Sequence, residues 1–273
     1  MLLMGTTLKR VFRLLVLATI SLSAGCAPTL QEEVALGQQT AAQLSAELPL
    51  VRDAASVEYI NQLGNQIARH ADTRDIQYRF YIVNASEVNA FAIPGGHVYV
   101  NRGLIERSRN VSELAGVLAH EIAHVTHRHG VEQWTRAQRA NLGVNVLYGV
   151  LLGRAPSGIE SAAIQVGGAG VFSGYSREAE READEAAVGY LIASGFDPNG
   201  LVTMFETLLA ERQANPSALE QWFATHPTTE ERIRNAQAAI ARSGASGMHL
   251  TVNTQAFNDF RARVSRLPAT AGL

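Results

Sequence analysis

The residues between Val117 and Gly130 include four of the eight histidines of the chain. Each residue of an α-helix turns by about 100°, so His120 and His124 lie on one face, one turn apart. Two neutral imidazoles at this spacing suit Zn²⁺, and the adjacent Glu121 can accept a proton from a metal-bound water. The segment HEIAH therefore matches the HExxH motif, which is typical of zinc-dependent hydrolysis.

A third ligand is expected downstream, because a catalytic zinc uses three protein ligands and keeps a fourth position open. The stretch SREAEREAD contains Glu180 and Asp184, which share a helical face because they are four residues apart. The alternative interpretation of such a run is an acidic, solvated helix face with arginine partners. Given the upstream HExxH motif, we favour a site in which His120, His124 and Glu180 bind one Zn²⁺ per chain.

The other histidines are given different roles. His127 returns to nearly the same face as His120, but it lies about 10 Å further along the helix axis, too far to share the ion. We expect His129 to end the helix, where a protonated imidazole is favourable near the negative end of the helix dipole. Structural or surface roles are predicted for His70, His97 and His249.

Helices and a small sheet must position these motifs. Apolar periodicity predicts a helix over 56–71, and YRFYIV (78–83) and HVYVN (97–101) predict strands of a small antiparallel sheet. The HEIAH segment is expected on a helix that starts near Ser112 and ends at Gly130. The predicted class is α+β, mainly α-helical, with the small β-sheet beside the HExxH helix.

Further helices are predicted over 176–194 and 198–212. Between these helices and the HEIAH helix, residues 141–173 are rich in glycine and alanine. We predict that this segment forms a lid that packs over the site and can move.

The N-terminus has the pattern of an export signal. Three basic residues precede the apolar run from Leu14 to Leu22, which is shorter than the ~20 residues needed to cross a bilayer. Cys26, the single cysteine, follows Ser-Ala-Gly as in a bacterial lipobox, and we predict that it is lipidated. The alternative is a stray small residue near a cleavage site, but a lone thiol would be a liability in an oxidising compartment. Ala27 after the cysteine favours sorting to the outer membrane.

Composition and charge limit the size of the core and the kinds of partner. The chain has 273 residues, 47% of them hydrophobic, which is enough apolar material for one sizeable core. The net charge is −2 and the arginines form no stripe, so we predict no nucleic-acid partner.

Four segments occur in an order that resembles a known family: NAFAIPGGHVYVNRGLI, ELAGVLAHEIAHVTHRHG, SREAEREAD and THPTTEERI. The chain resembles the gluzincin-type zinc metallopeptidases, which include the CAAX prenyl proteases, the HtpX heat-shock proteases and the periplasmic β-barrel assembly-enhancing protease. The resemblance runs from about Glu33 to about Ile240. It is greatest to a lipoprotein branch without tetratricopeptide repeats, and it implies a zincin-like metallopeptidase domain.

Carried over by position, the resemblance implies that His120, His124 and Glu180 bind the zinc and that Glu121 is the general base. It also implies that Asp184 orients a ligating histidine, which fixes the tautomer of that histidine.

The resemblance implies two further features around the metal. An edge strand to which an extended peptide can add corresponds to Asn89, Ala90, Phe91 and Ala92. His226 matches a histidine near the metal and is assigned to the catalytic site. We predict a resting state with His226 at or near the zinc, from which substrate displaces it, whereas the alternative role is stabilisation of the oxyanion.

Together these features predict a zinc metalloendopeptidase that removes misfolded or misassembled proteins from a Gram-negative cell envelope. Its partners would be polypeptide substrates and the periplasmic side of the outer membrane, reached through the lipid on Cys26. The expected organisation is a signal peptide (1–25), a tether (26–32), the zinc metallopeptidase domain (33–241) and a C-terminal tail (242–273).

Two alternatives belong to other functional classes. An envelope chaperone or assembly scaffold could retain a structural zinc, in which case Glu121 would be dispensable. A zinc hydrolase could instead act on cell-wall amides, although a peptide-binding edge strand argues against this.

Overall fold

Two helices precede the sheet in the computed structural model, which describes residues 28–139 and 174–268. Helix α1 (Leu30–Glu47) begins with a capping box, in which the Thr29 side chain accepts a hydrogen bond from the backbone of Glu32. Helix α2 (Ala54–Ala71) is capped by Asp53 and buries one apolar face. The predicted helix over 56–71 is therefore present and starts two residues earlier.

The sheet has three strands among the described residues, β1 (Arg79–Val83), β2 (Ala90–Ile93) and β3 (His97–Asn101), in the order β1-β3-β2. Strands β2 and β3 form an antiparallel hairpin, but β1 runs parallel to β3. The prediction of a purely antiparallel sheet is therefore wrong. After β1 the chain crosses to the other edge of the sheet, where it forms β2. The β2–β3 hairpin then places β3 beside β1, and β3 runs in the same direction as β1.

Helix α4 (Val111–Thr126) follows the short helix α3 (Arg102–Arg107) and lies at the centre of the domain. Every residue of α4 except the last is buried, which explains the continuous apolar character of the segment around HEIAH. Its N-cap is Asn110 rather than Ser112, because the Asn110 side chain accepts a hydrogen bond from the backbone of the first turn.

The helix predicted to reach Gly130 ends at Thr126 instead. Arg128 has φ of 59°, in the left-handed region, and this residue turns the chain before α5 (His129–Arg139) begins. The histidines after the HEIAH motif therefore lie on a corner and not on the extension of one helix.

The second half of the chain adds five helices within the described residues: α6 (Arg177–Ala193), α7 (Asn199–Ala214), α8 (Pro216–Thr225), α9 (Glu230–Arg242) and α10 (Gln255–Ser265). Helix α4 packs against both α6 and α7. A Cβ atom at Gly116 would lie 2.8 Å from Cα of Leu201, so this glycine allows α4 and α7 to approach closely.

Helix α10 lies within the stretch that the sequence assigned to a C-terminal tail. Phe257, Phe260 and Val264 are buried in the main core, and the Phe260 ring stacks on Tyr59 of α2 with centroids 4.4 Å apart. Residues 255–265 thus pack on the domain, because their apolar side chains follow helical spacing.

The predicted fold class is confirmed, since the chain is mainly α-helical with a small sheet beside the HExxH helix. No helix in 28–139 or 174–268 is long and apolar enough to cross a membrane. The predicted signal peptide with Cys26, and the predicted lid over 141–173, lie outside the described residues.

Candidate metal centre

Helix α4 brings the HExxH histidines together at the centre of the domain. His120 and His124 are buried, and their Nε2 atoms lie 3.0 Å apart. Glu121 is also fully buried, and in the part of the chain that is described neither carboxylate oxygen accepts a hydrogen bond. The motif therefore forms a cluster inside the protein and not a charged helix surface.

Helix α6 carries the carboxylate predicted as the third ligand. Glu180 places Oε2 at 3.6 Å from Nε2 of His120 and Oε1 at 3.5 Å from Nε2 of His124. The small buried residues Ala183 and Ala187 lie on the same helix, and their size suits the close packing of α6 on α4. The alternative of a solvated acidic face does not hold for Glu180, which is 1% exposed.

His226, at the end of α8, completes the cluster. Its Nδ1 lies 3.1 Å from Oε1 of Glu180 and 3.4 Å from Nε2 of His120. One donor atom from each of four buried residues lies within 4.8 Å of the others, and the four are His120, His124, Glu180 and His226. The structure thus brings together every residue that the sequence placed at the metal.

The turn that presents His226 is held by its neighbours. The indole N–H of Trp222 donates to Oγ1 of Thr228 at 3.0 Å, which ties α8 to the turn after it. The Trp222 and His226 rings have centroids 4.9 Å apart. Both side chains are buried, so the imidazole is presented to the cluster from a packed turn.

Asp184 and Arg232 support the other face of the cluster. Oδ1 of Asp184 lies 3.0 Å from Nδ1 of His120, as expected for a carboxylate that orients this ring. Arg232 of α9 donates to both oxygens of Asp184, at 2.7 and 2.8 Å, and it also pairs with Glu180. The guanidinium lies over the ring of Phe205, 4.6 Å from its centroid. Sequence analysis gave Arg232 no role, although it lies in the quoted THPTTEERI segment.

His124 has its own supporting group, which sequence analysis also missed. Its Nδ1 lies 2.9 Å from Nδ1 of His129, and Nε2 of His129 lies 3.2 Å from Oε2 of Glu182. Tyr175 stacks on the His124 ring with centroids 3.8 Å apart. The prediction that His129 ends the HEIAH helix is wrong, because it begins α5 and is buried against the site. His127, as predicted, is only a neighbour and is exposed.

The remaining histidines lie away from the cluster. His97 is buried in β3, where Nδ1 pairs with the hydroxyl of Tyr81 at 3.1 Å, whereas His70 and His249 are exposed. Their positions agree with the structural and surface roles expected for them.

Opposing forces set the ionisation of the cluster. Burial favours neutral His120, but the carboxylates of Asp184 and Glu180 outweigh it and raise the pKa of His120 to about 9. Burial lowers the pKa of His124 well below its usual value, against the influence of Glu180. Burial alone would raise the pKa of Glu180, yet His226 and Arg232 hold it well below the usual range. Glu180 is therefore a carboxylate at neutral pH and carries the charge a cation requires.

The donor set fits zinc. Oδ1 of Asp184 lies 3.0 Å from Nδ1 of His120 and favours a proton on that nitrogen, so a neutral His120 offers the lone pair of Nε2 to a cation. The partners of His124 favour the same tautomer, so the two Nε2 atoms, which lie 3.0 Å apart, can both bind one cation. Two imidazoles and a carboxylate are a common ligand set of catalytic zinc.

The predicted substrate strand lies at the sheet edge next to this cluster. Strand β2 covers residues 90–93, one residue later than the predicted segment, and it is an edge strand of the described sheet. The backbone N–H of Asn101 donates to Asn89 O, so in the antiparallel pattern the backbone groups of Ala90 and Ala92 point away from β3. Ala92 also lines a small cleft together with His124 and Tyr175.

Comparison with known proteins places this site in a family. Residues 54–240 match the sequence pattern of peptidase family M48, which covers more than half of the chain and both halves of the metal cluster. The chain belongs to peptidase family M48. The resemblance to the gluzincin-type metallopeptidases is thereby confirmed.

Individual relatives in this family carry protease names. The beta-barrel assembly-enhancing protease of Escherichia coli K12 is 35% identical over 243 residues, which are 87% of this chain and 48% of the relative. That of Yersinia pestis is 33% identical over 254 residues, or 91% of this chain and 51% of the relative. Metalloprotease YcaL of E. coli K12 is 30% identical over 179 residues, 66% of each protein. The chain thus spans about half the length of the assembly-enhancing proteases.

Proposed function

We propose that this M48 chain is a zinc-dependent endopeptidase that binds one Zn²⁺ through His120, His124 and Glu180. The observation that carries the proposal is the convergence of these buried donors beside Glu121, a buried carboxylate without a hydrogen-bond partner in the described residues. A buried carboxylate without a hydrogen bond costs stability, which is typical of a group kept for chemistry.

When bound, zinc supplies a Lewis acid that polarises the scissile carbonyl and lowers the pKa of water. Glu121 then acts as general base: it accepts a proton from the attacking water and can deliver it to the leaving amine. Asp184 and Arg232 keep their contacts to His120 and Glu180 throughout, which limits reorganisation during the reaction.

The substrate is proposed to bind as an extended strand along β2. The outward backbone groups of Ala90 and Ala92 can pair with a peptide, and this strand lies next to the cluster, because Ala92 and His124 line one small cleft. Phe91 packs on the opposite side of the sheet against Tyr99, with ring centroids 4.9 Å apart, and holds the strand in place. Recognition of backbone groups suits polypeptides of varied sequence and does not suit cell-wall amides.

His226 is proposed to close the fourth position of the resting site. Its Nδ1 contacts Glu180 and His120, and its Nε2 lies 3.4 Å from Oε1 of Glu121, so it stands where water and a substrate carbonyl would have to enter. Substrate that adds along β2 would displace it.

The variant His226→Ala tests this gating role. We expect basal cleavage of an unfolded protein to increase several-fold, because the fourth position is no longer blocked. His249→Ala is a matched control, since it removes an exposed imidazole that lies away from the cluster. Cleavage rates would be measured at equal zinc content. A loss of activity with every substrate would contradict gating and assign His226 to the oxyanion.

We further propose that the metallopeptidase domain acts in a Gram-negative envelope after removal of the signal peptide over 1–25. The names of these relatives link related proteases to β-barrel assembly, which supports misassembled envelope proteins as substrates. Lipid on Cys26 would hold the enzyme on the periplasmic side of the outer membrane.

The lipid anchor is tested by Cys26→Ala. We expect the protein to move from the membrane fraction to the periplasmic extract, because each buried CH₂ of an acyl chain contributes about 0.8 kcal/mol to membrane binding. Immunoblots of fractionated cells would measure the distribution, with an outer-membrane protein and a periplasmic protein as markers. An unchanged membrane fraction would contradict lipid anchoring.

The whole function is tested by envelope proteomics that compares cells with wild-type protein and cells with Glu121→Gln. We expect new protein N-termini to appear only with the wild type and to name the substrates. Equal sets of N-termini, together with full biological function of the variant, would favour the chaperone or scaffold alternative.

A further inference from the structure

We propose that His129 and Glu182 form a positioning relay that fixes the tautomer and ring orientation of His124. The proposal rests on the proposed zinc site, but it concerns two residues outside the ligand set. Neither residue can reach the cluster directly, so both act through His124.

The direction of the hydrogen bonds follows from the Glu182 carboxylate, which can only accept. Nε2 of His129 lies 3.2 Å from Oε2 of Glu182 and must therefore carry the proton. In the neutral ring, Nδ1 of His129 is then an acceptor, and it lies 2.9 Å from Nδ1 of His124. His124 donates this N–H, which leaves the lone pair on its Nε2, the atom that faces His120.

The two ligating histidines are therefore supported by different routes. Nδ1 of His120 contacts a carboxylate directly, at Asp184, whereas Nδ1 of His124 is linked to the carboxylate of Glu182 through a second imidazole. Both carboxylates come from α6, the helix that also carries Glu180. Glu182 lies two residues from Glu180 and projects to another side of α6, toward the corner where α5 begins.

The corner itself is built to bring His129 back onto His124. Arg128 takes the left-handed backbone conformation, and its Nε donates to Oε2 of Glu33 at 2.8 Å, while its Nη2 donates to the carbonyl of Pro28. Glu33 is a buried residue of helix α1, so a segment that is distant in sequence holds the turn at Arg128. The His129 side chain is 5% exposed, and its ring lies beside that of Tyr175, with centroids 5.9 Å apart. This packing restricts the rotation of the imidazole.

Zinc affinity of purified full-length protein tests the relay without reference to turnover. The two test variants are His129→Leu, which removes the acceptor, and His129→Asn, whose amide oxygen can occupy the position of Nδ1. Competition with a chromophoric chelator measures the zinc Kd, and we expect His129→Leu to weaken it by about 10–100-fold. His129→Asn should recover most of this loss, which a merely structural role for the imidazole would not predict.

Glu182→Leu provides an independent test, because Glu182 is 42% exposed and its loss is tolerable for folding. Zinc affinity should again decrease. The matched variant Glu185→Leu on the same helix should bind zinc like the wild type, since Glu185 pairs with Arg181 and Arg242 at the surface. Wild-type affinity in both His129→Leu and Glu182→Leu would overturn the relay. Wild-type protein that binds zinc but cleaves no peptide would instead overturn the proposed function and leave the relay intact.

Discussion

Glu121→Gln should lose most peptide cleavage while it keeps the fold and one zinc per chain. Glutamine has nearly the same volume as glutamate, but its amide cannot accept the proton of the attacking water. General acid–base catalysis contributes about 10²–10⁴-fold, and we expect kcat to decrease by a factor in this range. Because Glu121 makes no hydrogen bond within the described residues, the substitution breaks none there, and stability should stay close to that of the wild type.

The measurement is cleavage of a fluorogenic unfolded protein at matched zinc content, with thermal unfolding as a check of the fold. Glu132→Gln is a suitable control, because Glu132 lies on the surface of α5 and pairs with Arg136. Turnover by Glu121→Gln at the wild-type rate would remove Glu121 from the mechanism.

Glu180→Ala should lose the metal as well as the activity. Only two imidazoles of the predicted ligand set would remain, and Arg232 would lose one of its two buried carboxylate partners, so an unbalanced positive charge would lie beside the site. We expect zinc content to decrease from one ion per chain to a small fraction of that value, with cleavage below detection.

Elemental analysis after gel filtration would measure this loss. Glu180→Gln keeps the side-chain volume and separates the loss of charge from the loss of packing, so zinc should also be weakly held in this variant. One zinc per chain in Glu180→Ala would exclude Glu180 as a ligand.

Local helical geometry explains why so much of the site could be predicted from the sequence. The spacing of four between His120 and His124, and again between Glu180 and Asp184, places each pair on one helical face. The structure does bring both faces to one buried cluster. His226 could be predicted only through the resemblance, since nothing in its local sequence indicates a contact with α4.

The features that sequence analysis missed depend on contacts between distant parts of the chain. His129 was assigned to a helix end because the helix pattern continues past Thr126, whereas the turn at Arg128 is held by Glu33, far away in sequence. Arg232 likewise gains its role only when α9 packs beside α6.

In the fold, too, local features could be predicted from the sequence, whereas features that depend on distant segments could not. Helical periodicity predicted α2 and α6, and alternating β-branched and aromatic residues predicted β1 and β3. The direction of β1 relative to β3 could not be predicted, because it depends on the path of the chain between β1 and β2 and not on the strands themselves.

Zinc titration of the metal-free wild-type protein tests the central proposal most directly. The protein would be stripped with a chelator and refilled in steps, and cleavage of an unfolded polypeptide would be measured at each step. We predict that cleavage is absent without metal and increases linearly until one zinc per chain is bound, after which it stays constant. Cleavage that is independent of zinc, or that reaches its maximum only at two ions per chain, would contradict a single catalytic zinc at His120, His124 and Glu180.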